Sequence, residues 1–299
     1  MTAFKKPNIT FNPAAQIVND TKFSIVIPSW NNLEMLQFCI NAINKNSTYK
    51  HQIIVHVNEG NDGTLAWIQS QQIDYTYSTE NAGVCYAINA MASLAKTNYI
   101  LFLNDDMYVC PKWDEVLWSE VQKQTTNLWY FSGTMIEPNY SGNKCALAPF
   151  NFGNSIENFK EKELLIFTSK LKNNDWFGAS WPPSLVHKTT FDKVNGYSEE
   201  FSPGMYSDPD FSMKLWEAGV RNYKGLGSSL VYHFQSKSTG RVQKNDGRKQ
   251  FAQKWKIPSS YFYKNVLLLG QKFDENIKLK TAKNIFYWGA KLRAWWIAK

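Results

Sequence analysis

Apolar and polar positions alternate in blocks along the first hundred residues. Four short apolar, β-branched runs predict β-strands, at residues 23–30, 51–58, 73–79 and 98–104. Between them, three segments with apolar side chains at helical spacing predict α-helices, at residues 33–44, 64–72 and 81–96. Strands and helices that alternate at these lengths are typical of βαβ units. The pattern therefore predicts an α/β fold with a mixed, mostly parallel sheet flanked by helices.

Polar residues stand where three of these strands end. Pro28 and Ser29 end the first strand, Asn58 and Glu59 follow the second, and residues 104–106 (Asn-Asp-Asp) follow the fourth. In open sheets of this kind, ligands bind at the carboxyl ends of the strands. We therefore expect the three polar ends to converge on one crevice.

The chain has no glycine-rich phosphate loop. Neither GxGxxG nor GxxxxGK[ST] occurs, which disfavours a Rossmann dehydrogenase and a P-loop NTPase. A bound diphosphate then needs another counter-charge, and a divalent cation held by carboxylates supplies one. Oxygen ligands suit Mg²⁺ or Mn²⁺, so Asp105 and Asp106 are candidate ligands for such a cation.

Four segments with sensible spacing carry a family resemblance: FSIVIPSWNN, VNEGNDGT, ENAGVCYAINAMASLAKTNYILFLNDDM and FDKVNGYSEEFSPGMYSDPDFSMKLWEAGV. Together they resemble the inverting glycosyltransferases of family 2, which have the GT-A fold and use nucleotide-diphosphate sugars. The resemblance covers roughly residues 22–235. It implies a metal-dependent transferase, with Mn²⁺ or Mg²⁺, that moves a sugar to a hydroxyl of a glycan or lipid-linked glycan acceptor.

The resemblance assigns the donor side of the site. It implies that one set of residues binds the nucleotide sugar: Pro28, Ser29, Trp30, Glu59, Asn81, Gly83, Asn104 and Asp105. Asn58 competes with Glu59 for the contact to the base, because this copy of the motif is one residue short. The first acid of the family's DxD motif is Asn104 here. The resemblance implies that Asp106 binds the metal together with His233.

On the acceptor side, the resemblance assigns the catalytic base to Asp208, with Asp210 as the second candidate. An inverting transfer needs one carboxylate to deprotonate the acceptor hydroxyl. Asp210 has a competing interpretation as the N-cap of the helix that follows, and Ser207 replaces the family's usual Glu. The resemblance also places Gly178 and Ala179 in a loop that faces the donor sugar, which small residues allow to approach closely, and it makes Lys214 a candidate phosphate partner. Trp176 and Trp181 flank this loop, and each suits either stacking on a sugar or a place in the core.

Charge is distributed unevenly along the chain. Residues 241–299 hold 14 Lys and Arg against three Asp and Glu, a balance of +11, so residues 1–240 carry −3. We expect a GT-A domain at 20–240, with a nucleotide-binding half at 20–115 and an acceptor half at 116–240, followed by a basic helical extension at 241–299. On a helical wheel, one apolar arc of this extension contains Ile285, Trp288, Leu292, Trp295 and Trp296. This pattern predicts an interfacial membrane helix, a dimer contact or a helix packed on the catalytic domain.

The remaining features limit the class of protein. Four separated cysteines without a CxxC pair, and an N-terminus without a long apolar stretch, favour a reduced, cytoplasmic location. Peripheral attachment to the cytoplasmic face of the membrane follows if the C-terminal helix binds lipid. One alternative is a non-catalytic GT-A relative that binds nucleotide or glycan. A nucleic-acid-binding protein is disfavoured, because the basic charge is confined to the tail and no recognition motif accompanies it.

Overall fold

A computed structural model describes residues 5–14, 20–236, 244–281 and 284–299 of the chain. Its strands are β1 Thr10–Asn12, β2 Ser24–Trp30, β3 Gln52–Asn58, β4 Asp74–Ser78, β5 Tyr99–Phe102, β6 Met107–Val109, β7 Trp129–Ile136, β8 Trp176–Phe177, β9 Ser184–His187 and β10 Asn222–His233. Its helices are α1 Leu33–Asn46, α2 Thr64–Ser70, α3 Gly83–Ser93, α4 Trp113–Val121, α5 Glu161–Lys170, α6 Lys188–Lys193, α7 Ser207–Glu217, α8 Gly247–Trp255, α9 Ser259–Tyr261 and α10 Ile285–Ala298.

All ten strands found in the described ranges belong to one sheet. Its order is β1-β4-β3-β2-β5-β9-β7-β10-β6, and β8 pairs with β10 at the side of this path. Strands β4, β3, β2 and β5 run parallel, as do β7 and β10, and these ladders hold most of the paired residues. Strands β1, β6, β8 and β9 are antiparallel to their neighbours. The prediction of a mixed, mostly parallel α/β sheet flanked by helices is confirmed.

Helices cover both faces of the sheet, which explains the nearly continuous apolar runs of its strands. In β2, Ile25 and Ile27 pack into one hydrophobic core, while Val26 between them packs into the other. All three are fully buried. A strand buried on both faces loses the alternation of apolar and polar residues. The core therefore lies in two layers, one on each side of the sheet.

The pairing register of β10 places His233 and two carboxylates at the same end of the sheet. This strand pairs antiparallel with β6, which puts His233 opposite Met107, the residue after Asp106. It also pairs parallel with β7, which puts Tyr232 opposite Ile136, the residue before Glu137. His233 is thereby positioned between two carboxylates from different strands.

The C-terminal extension is helical, as predicted. Helix α10 packs on α8 through Ala290 and Ala294, two small residues that are almost completely buried. The carboxyl end of α10 is held as well, because Lys249 Nζ donates to the carbonyl oxygen of Lys299 at 2.8 Å. Within the described ranges, no helix combines the length and the apolar character needed to cross a bilayer.

Candidate active site

The polar strand ends converge on one cavity of about 570 Å³, as the sequence predicts. Of the twelve site residues named from the sequence, ten line it: Pro28, Ser29, Trp30, Asn81, Gly83, Asn104, Asp105, Asp106, Asp208 and His233. The other two, Glu59 and Asp210, are not among its lining residues. The donor and acceptor sides of the predicted site therefore share one space.

Asp105 stands at the centre of this convergence. Ser29 Oγ, from the end of β2, donates to Asp105 Oδ2 at 2.8 Å. Burial, followed by repulsion from the neighbouring Asp106, raises the pKa of the Asp105 carboxyl to about 7, although the hydrogen bond from Ser29 opposes this shift. Ionisation of Asp105 is therefore unfavourable in this cavity, and a bound cation would make it more favourable.

Asp105, Asp106 and Glu137 form an acidic edge of the cavity, and His233 lies beside Asp106 at this edge. His233 Nε2 lies 3.4 Å from Asp106 Oδ1, and the backbone N–H of Ser236 donates to Asp106 Oδ2 at 2.8 Å. The other ring nitrogen, His233 Nδ1, lies 2.9 Å from Glu137 Oε1. Burial lowers the pKa of His233, but the two carboxylates outweigh it and raise the pKa to about 10.

Glu137 is a site residue that the sequence reasoning missed. It lines the cavity, is almost fully buried, and accepts a hydrogen bond from Ser141 Oγ at 2.6 Å. Burial opposes ionisation, yet the bonds from His233 and Ser141 hold the pKa of Glu137 below its usual range. A signal was present, because Glu137 ends an apolar run in the same way that Asp105 and Asp106 do.

The donor wall of the cavity is built from loops that follow β3 and β4. Asn58 Oδ1 accepts from the backbone N–H of Ala82 at 2.7 Å, and Asn81 Oδ1 accepts from that of Gly83 at 2.8 Å. Gly83 has a φ of +71°, and a Cβ there would lie 2.7 Å from Pro203 Cα. A glycine is needed at this position, because both its backbone conformation and its close packing exclude a side chain.

The two candidates for the contact to the base are placed differently. Asn58 lines the cavity, although its side chain also holds the Ala82 loop. Glu59 lies outside the lining, and its Oε2 accepts from Asn31 Nδ2 at 3.0 Å. Asn58 therefore lies at the cavity, whereas Glu59, the residue assigned to the donor site from the sequence, does not.

Asp208 reaches the cavity from the first turn of α7. Burial raises the pKa of the Asp208 carboxyl to about 7, against a weak hydrogen bond from the Tyr197 hydroxyl, which lies 3.4 Å from Oδ1. A carboxyl with this pKa can take up a proton near neutral pH.

Asp210 points away from the cavity. Successive helical residues are about 100° apart, so positions 208 and 210 face nearly opposite sides of α7. The Asp210 side chain is completely buried, and its Oδ1 accepts from Trp255 Nε1 at 2.8 Å. Its interpretation as an N-cap is wrong, because α7 begins at Ser207 and its N-cap is Tyr206.

Of the four small and aromatic residues considered for a sugar contact, three lie away from the cavity. The space beside Gly178 is filled by Leu269, and neither Gly178 nor Ala179 lines the cavity. Trp176 is buried in the core, where its Nε1 donates to Thr134 Oγ1 at 2.9 Å. Trp181 does line the cavity.

Lys214 is directed elsewhere than to a phosphate. Its Nζ donates to the carbonyl oxygen of Gly196 at 2.6 Å, and it is absent from the cavity lining. Among the described residues, Lys244 is the lysine that lines the cavity, and its side chain is exposed. An ammonium group at this mouth can attract a phosphate as a point charge.

Comparison with known proteins gives a family match. Residues 24–172, about half of the chain, match the family model described as glycosyl transferase family 2. A curated relative, the uncharacterized glycosyltransferase YfnE of Bacillus subtilis (strain 168), is 31% identical over 91 residues. That match spans 29% of this chain and 23% of the relative, so this chain covers about a quarter of the relative's length.

Two solved structures resemble this fold over more than three quarters of the chain, at low sequence identity. One is GalNAc-T7 with UDP, GalNAc and Mn²⁺, with a TM-score of 0.52, 15% identity, and coverage of 77% of this chain and 45% of that chain. The other is residues 1–349 of S. aureus TarS in complex with UDP-GlcNAc, with a TM-score of 0.51, 14% identity, and coverage of 79% and 65%. The expected GT-A fold is confirmed, and with the family match over β2 to α5 the chain belongs to glycosyl transferase family 2.

Proposed function

We propose that this protein is a metal-dependent inverting glycosyltransferase. It would transfer a sugar from a nucleotide-diphosphate donor to a hydroxyl of a glycan or lipid-linked glycan acceptor. The observation that carries the proposal is that one cavity holds both the acidic strand end at Asp105 and Asp106 and the carboxyl of Asp208. Asp105 and Asp106 suit the binding of a sugar diphosphate with its cation, and the Asp208 carboxyl suits a base on the acceptor side.

The proposed reaction is a single displacement. The acceptor oxygen attacks the anomeric carbon of the donor sugar while Asp208 takes the proton of that hydroxyl. The bond between the anomeric carbon and the diphosphate oxygen breaks, and the diphosphate leaves with the electron pair. A base with a pKa near the working pH is the most effective, and the pKa of about 7 at Asp208 meets that condition.

The residues at the acidic edge fit a divalent cation. Asp106 would supply an oxygen, and His233 would supply Nε2 after losing its proton when the cation enters, while Glu137 holds the other ring nitrogen of His233. A carboxylate that orients a metal-ligating histidine is a common arrangement at metal centres. No group of three or more His, Cys, Asp or Glu side chains suited to a metal occurs among the described residues. Mn²⁺ or Mg²⁺ commonly uses one or two carboxylates and completes its coordination with substrate phosphates and water, and would neutralise charge on the leaving diphosphate.

The donor is proposed from the site and from the solved relatives. Trp30 offers an aromatic face and Asn81 an amide at the wall where the resemblance places the nucleoside. The similar structures were obtained with UDP and GalNAc, and with UDP-GlcNAc. UDP-sugars are therefore the first donors to test. Lys244 and the proposed cation would share the charge of the diphosphate.

The proposed domain organisation follows the same division of labour. Residues 20–115 would bind the nucleotide and residues 116–240 the acceptor, with the basic extension at 241–299.

Asn104 and Ser207 depart from the family pattern, and they favour the second candidate function, a GT-A relative that binds nucleotide or glycan without turnover. In the structure, Ser207 Oγ donates to the carbonyl oxygen of Gly204 at 2.8 Å, which is a structural use of that position.

We also propose that the extension binds the surface of an anionic membrane. Among the described residues, half of the exposed large hydrophobic side chains lie in the single helix α10. This helix contains basic residues and no acidic residue. Indole rings beside lysines suit the interface between acyl chains and anionic headgroups. Such a position would suit an acceptor carried on a lipid.

The test is a thermal-shift series followed by a transfer assay. Because a ligand that binds only the folded state raises the melting temperature, UDP with Mn²⁺ should raise it more than UDP alone. Release of UDP from UDP-sugars in the presence of glycan acceptors would then measure turnover. Stabilisation without turnover across donors and acceptors would support the non-catalytic alternative. Absence of any stabilisation by nucleoside diphosphates would contradict both.

A further inference from the structure

Asp210 is completely buried on the side of α7 that faces away from the cavity, and both of its partners lie at the end of α8. Trp255 Nε1 donates to Asp210 Oδ1 at 2.8 Å, and Lys254 Nζ lies 3.0 Å from the same oxygen. The second oxygen of Asp210 is buried without a hydrogen-bond partner. A buried carboxylate depends strongly on the few donors that it has. The first turn of α7 is therefore tied to the C-terminal extension at this carboxylate.

Lys254 connects the same point to the segment before α7. Its Nζ donates to Ser198 Oγ at 2.8 Å and to Glu200 Oε1 at 2.7 Å. A second residue of α8 acts on this segment, because Gln250 Nε2 donates to the carbonyl oxygen of Glu200 at 2.8 Å. One face of α8 thus holds both the start of α7 and the turn that leads into it.

The residues just before α8 complete the attachment. Asn245 pairs with the backbone of Met205 in both directions, since its Oδ1 accepts from the N–H at 3.0 Å and its Nδ2 donates to the carbonyl oxygen at 3.1 Å. Gly247 lies so close that a Cβ there would be 2.1 Å from the Met205 oxygen. Met205, with Pro203 and Gly204, lines the cavity next to Asp208.

We propose that Lys254 and Trp255 are positioning residues for Asp208, which they act on through Asp210. The buried contact fixes the rotation of the first turn of α7, and that rotation determines where the Asp208 carboxyl lies in the cavity. The inference rests on the proposed function, and it makes α8 a working part of the acceptor side. It also gives Asp210 a role that differs from that of a second base.

The test uses Trp255→Phe, which keeps the ring and removes its N–H, and Lys254→Met, which keeps the aliphatic stem and removes the charge. A misplacement of about 1 Å far from the chemistry can lower a rate by about 10²-fold. We expect each variant to lower kcat by about 10-fold or more. The donor KM and the stabilisation by UDP should stay within about twofold, because neither Lys254 nor Trp255 lines the cavity.

Lys224→Met is a matched control. Lys224 is also a mostly buried lysine in a double ion pair, with Glu120 at 3.1 Å and Asp175 at 3.0 Å, and it does not line the cavity. Its substitution should lower the melting temperature and leave kcat unchanged. A fall in kcat that appears in Lys254→Met and not in Lys224→Met separates positioning from general loss of stability.

The outcomes are distinguishable. If the wild-type protein transfers sugar and Trp255→Phe and Lys254→Met lower only the melting temperature, the positioning role is wrong and the proposed function stands. A raised donor KM with unchanged kcat would also overturn it, because the contact would then serve the donor site. If the wild-type protein binds UDP and transfers nothing, the proposed function fails, and the positioning role fails with it.

Discussion

At the scale of single residues, the assignment of the base to Asp208 has a direct consequence. Asp208→Asn preserves the size of the side chain and removes the proton acceptor. Transfer should fall by at least about 10²-fold, while stabilisation by UDP with Mn²⁺ is retained. Steady-state kinetics and thermal shift measure the two quantities. If Asp210→Asn reduces transfer more than Asp208→Asn does, with donor binding intact, the two roles must be exchanged.

The raised pKa of Asp208 also affects stability. A carboxyl in the unfolded chain has a pKa of about 4, whereas that of folded Asp208 is about 7. Between these values the unfolded state is ionised and binds fewer protons, so this group makes folding less favourable as pH rises from about 4 to about 7. Asp208→Asn should therefore raise the melting temperature at pH 8 relative to wild type, with little difference at pH 4. Equal melting temperatures at pH 8 would contradict the raised pKa of this carboxyl.

The metal assignment is tested at Asp106. Asp106→Ala should remain folded and lose the Mn²⁺-dependent part of the stabilisation by UDP. Glu137→Gln should weaken the Mn²⁺ dependence by about 10–100-fold, because an outer carboxylate orients the ligating histidine. Asp192→Ala, at an exposed carboxylate on α6, is the control and should bind as wild type does. Unchanged metal dependence in Asp106→Ala would show that the DxD-like motif is misassigned.

The sequence predicted which residues lie at the cavity better than it predicted the directions of their side chains. Ten of the twelve named residues line one cavity, because strand ends and motif positions are local features of a sequence. Glu137 was missed because the strand that delivers it was not predicted. Asp208 and Asp210 could not be separated without the start of α7, since the direction of each side chain depends on helical phase.

At the scale of elements, the first half of the fold was the more predictable. The predicted strands at 23–30, 51–58, 73–79 and 98–104 each agree with the structure to within one or two residues. These strands are joined by helices, and the difference in hydrophobic period between strand and helix is enough to show where each strand lies. The antiparallel strands β6 and β9 are only three and four residues long, and their pairing depends on distant partners. Short strands of this kind have no reliable local pattern.

The turn before α3 gives an element-scale prediction. Gly83→Ala forces a side chain into a φ of +71° and against Pro203, so it should destabilise the fold by about 1–3 kcal/mol and weaken binding of UDP. Gly289→Ala is the contrasting change, because it lies inside α10 with nothing within 4 Å of its added Cβ. It should stabilise by about 0.5–1 kcal/mol. Chemical denaturation measures both, and a neutral Gly83→Ala would show that the turn can relax.

At the scale of the whole molecule, charge and exposed apolar surface coincide. The +11 balance of residues 241–299 and the aromatic face of α10 belong to the same end of the chain. Lys299 Nζ lies 3.5 Å from the ring centroid of Trp295, and Lys291 lies over Trp288 at 5.7 Å. The opposite face of α10 packs on α8, whose Trp255 donates to Asp210 in the first turn of α7. A membrane bound at α10 would therefore be separated from α7 by helix α8.

The membrane prediction is best tested on the full chain. Truncation after Leu279 would uncover α8 and remove the contact between Lys249 and Lys299, so loss of binding could reflect loss of structure. The variant of choice replaces the three exposed tryptophans by serine, at Trp288, Trp295 and Trp296, which are 60%, 51% and 64% exposed. Ile166→Ser, at a 57% exposed position on α5, is the control.

Wild type and Ile166→Ser should sediment with vesicles that contain anionic lipid, and the triple variant should not. Burial of indoles is insensitive to salt, whereas the attraction of roughly 1 kcal/mol per basic residue near the surface is screened. Binding of the wild type should therefore weaken with added salt without vanishing. If the triple variant sediments as wild type does, the membrane proposal is wrong. If the wild type is a dimer that the tryptophan substitutions convert to a monomer, with no vesicle binding in either, the aromatic face of α10 joins two copies of this chain instead.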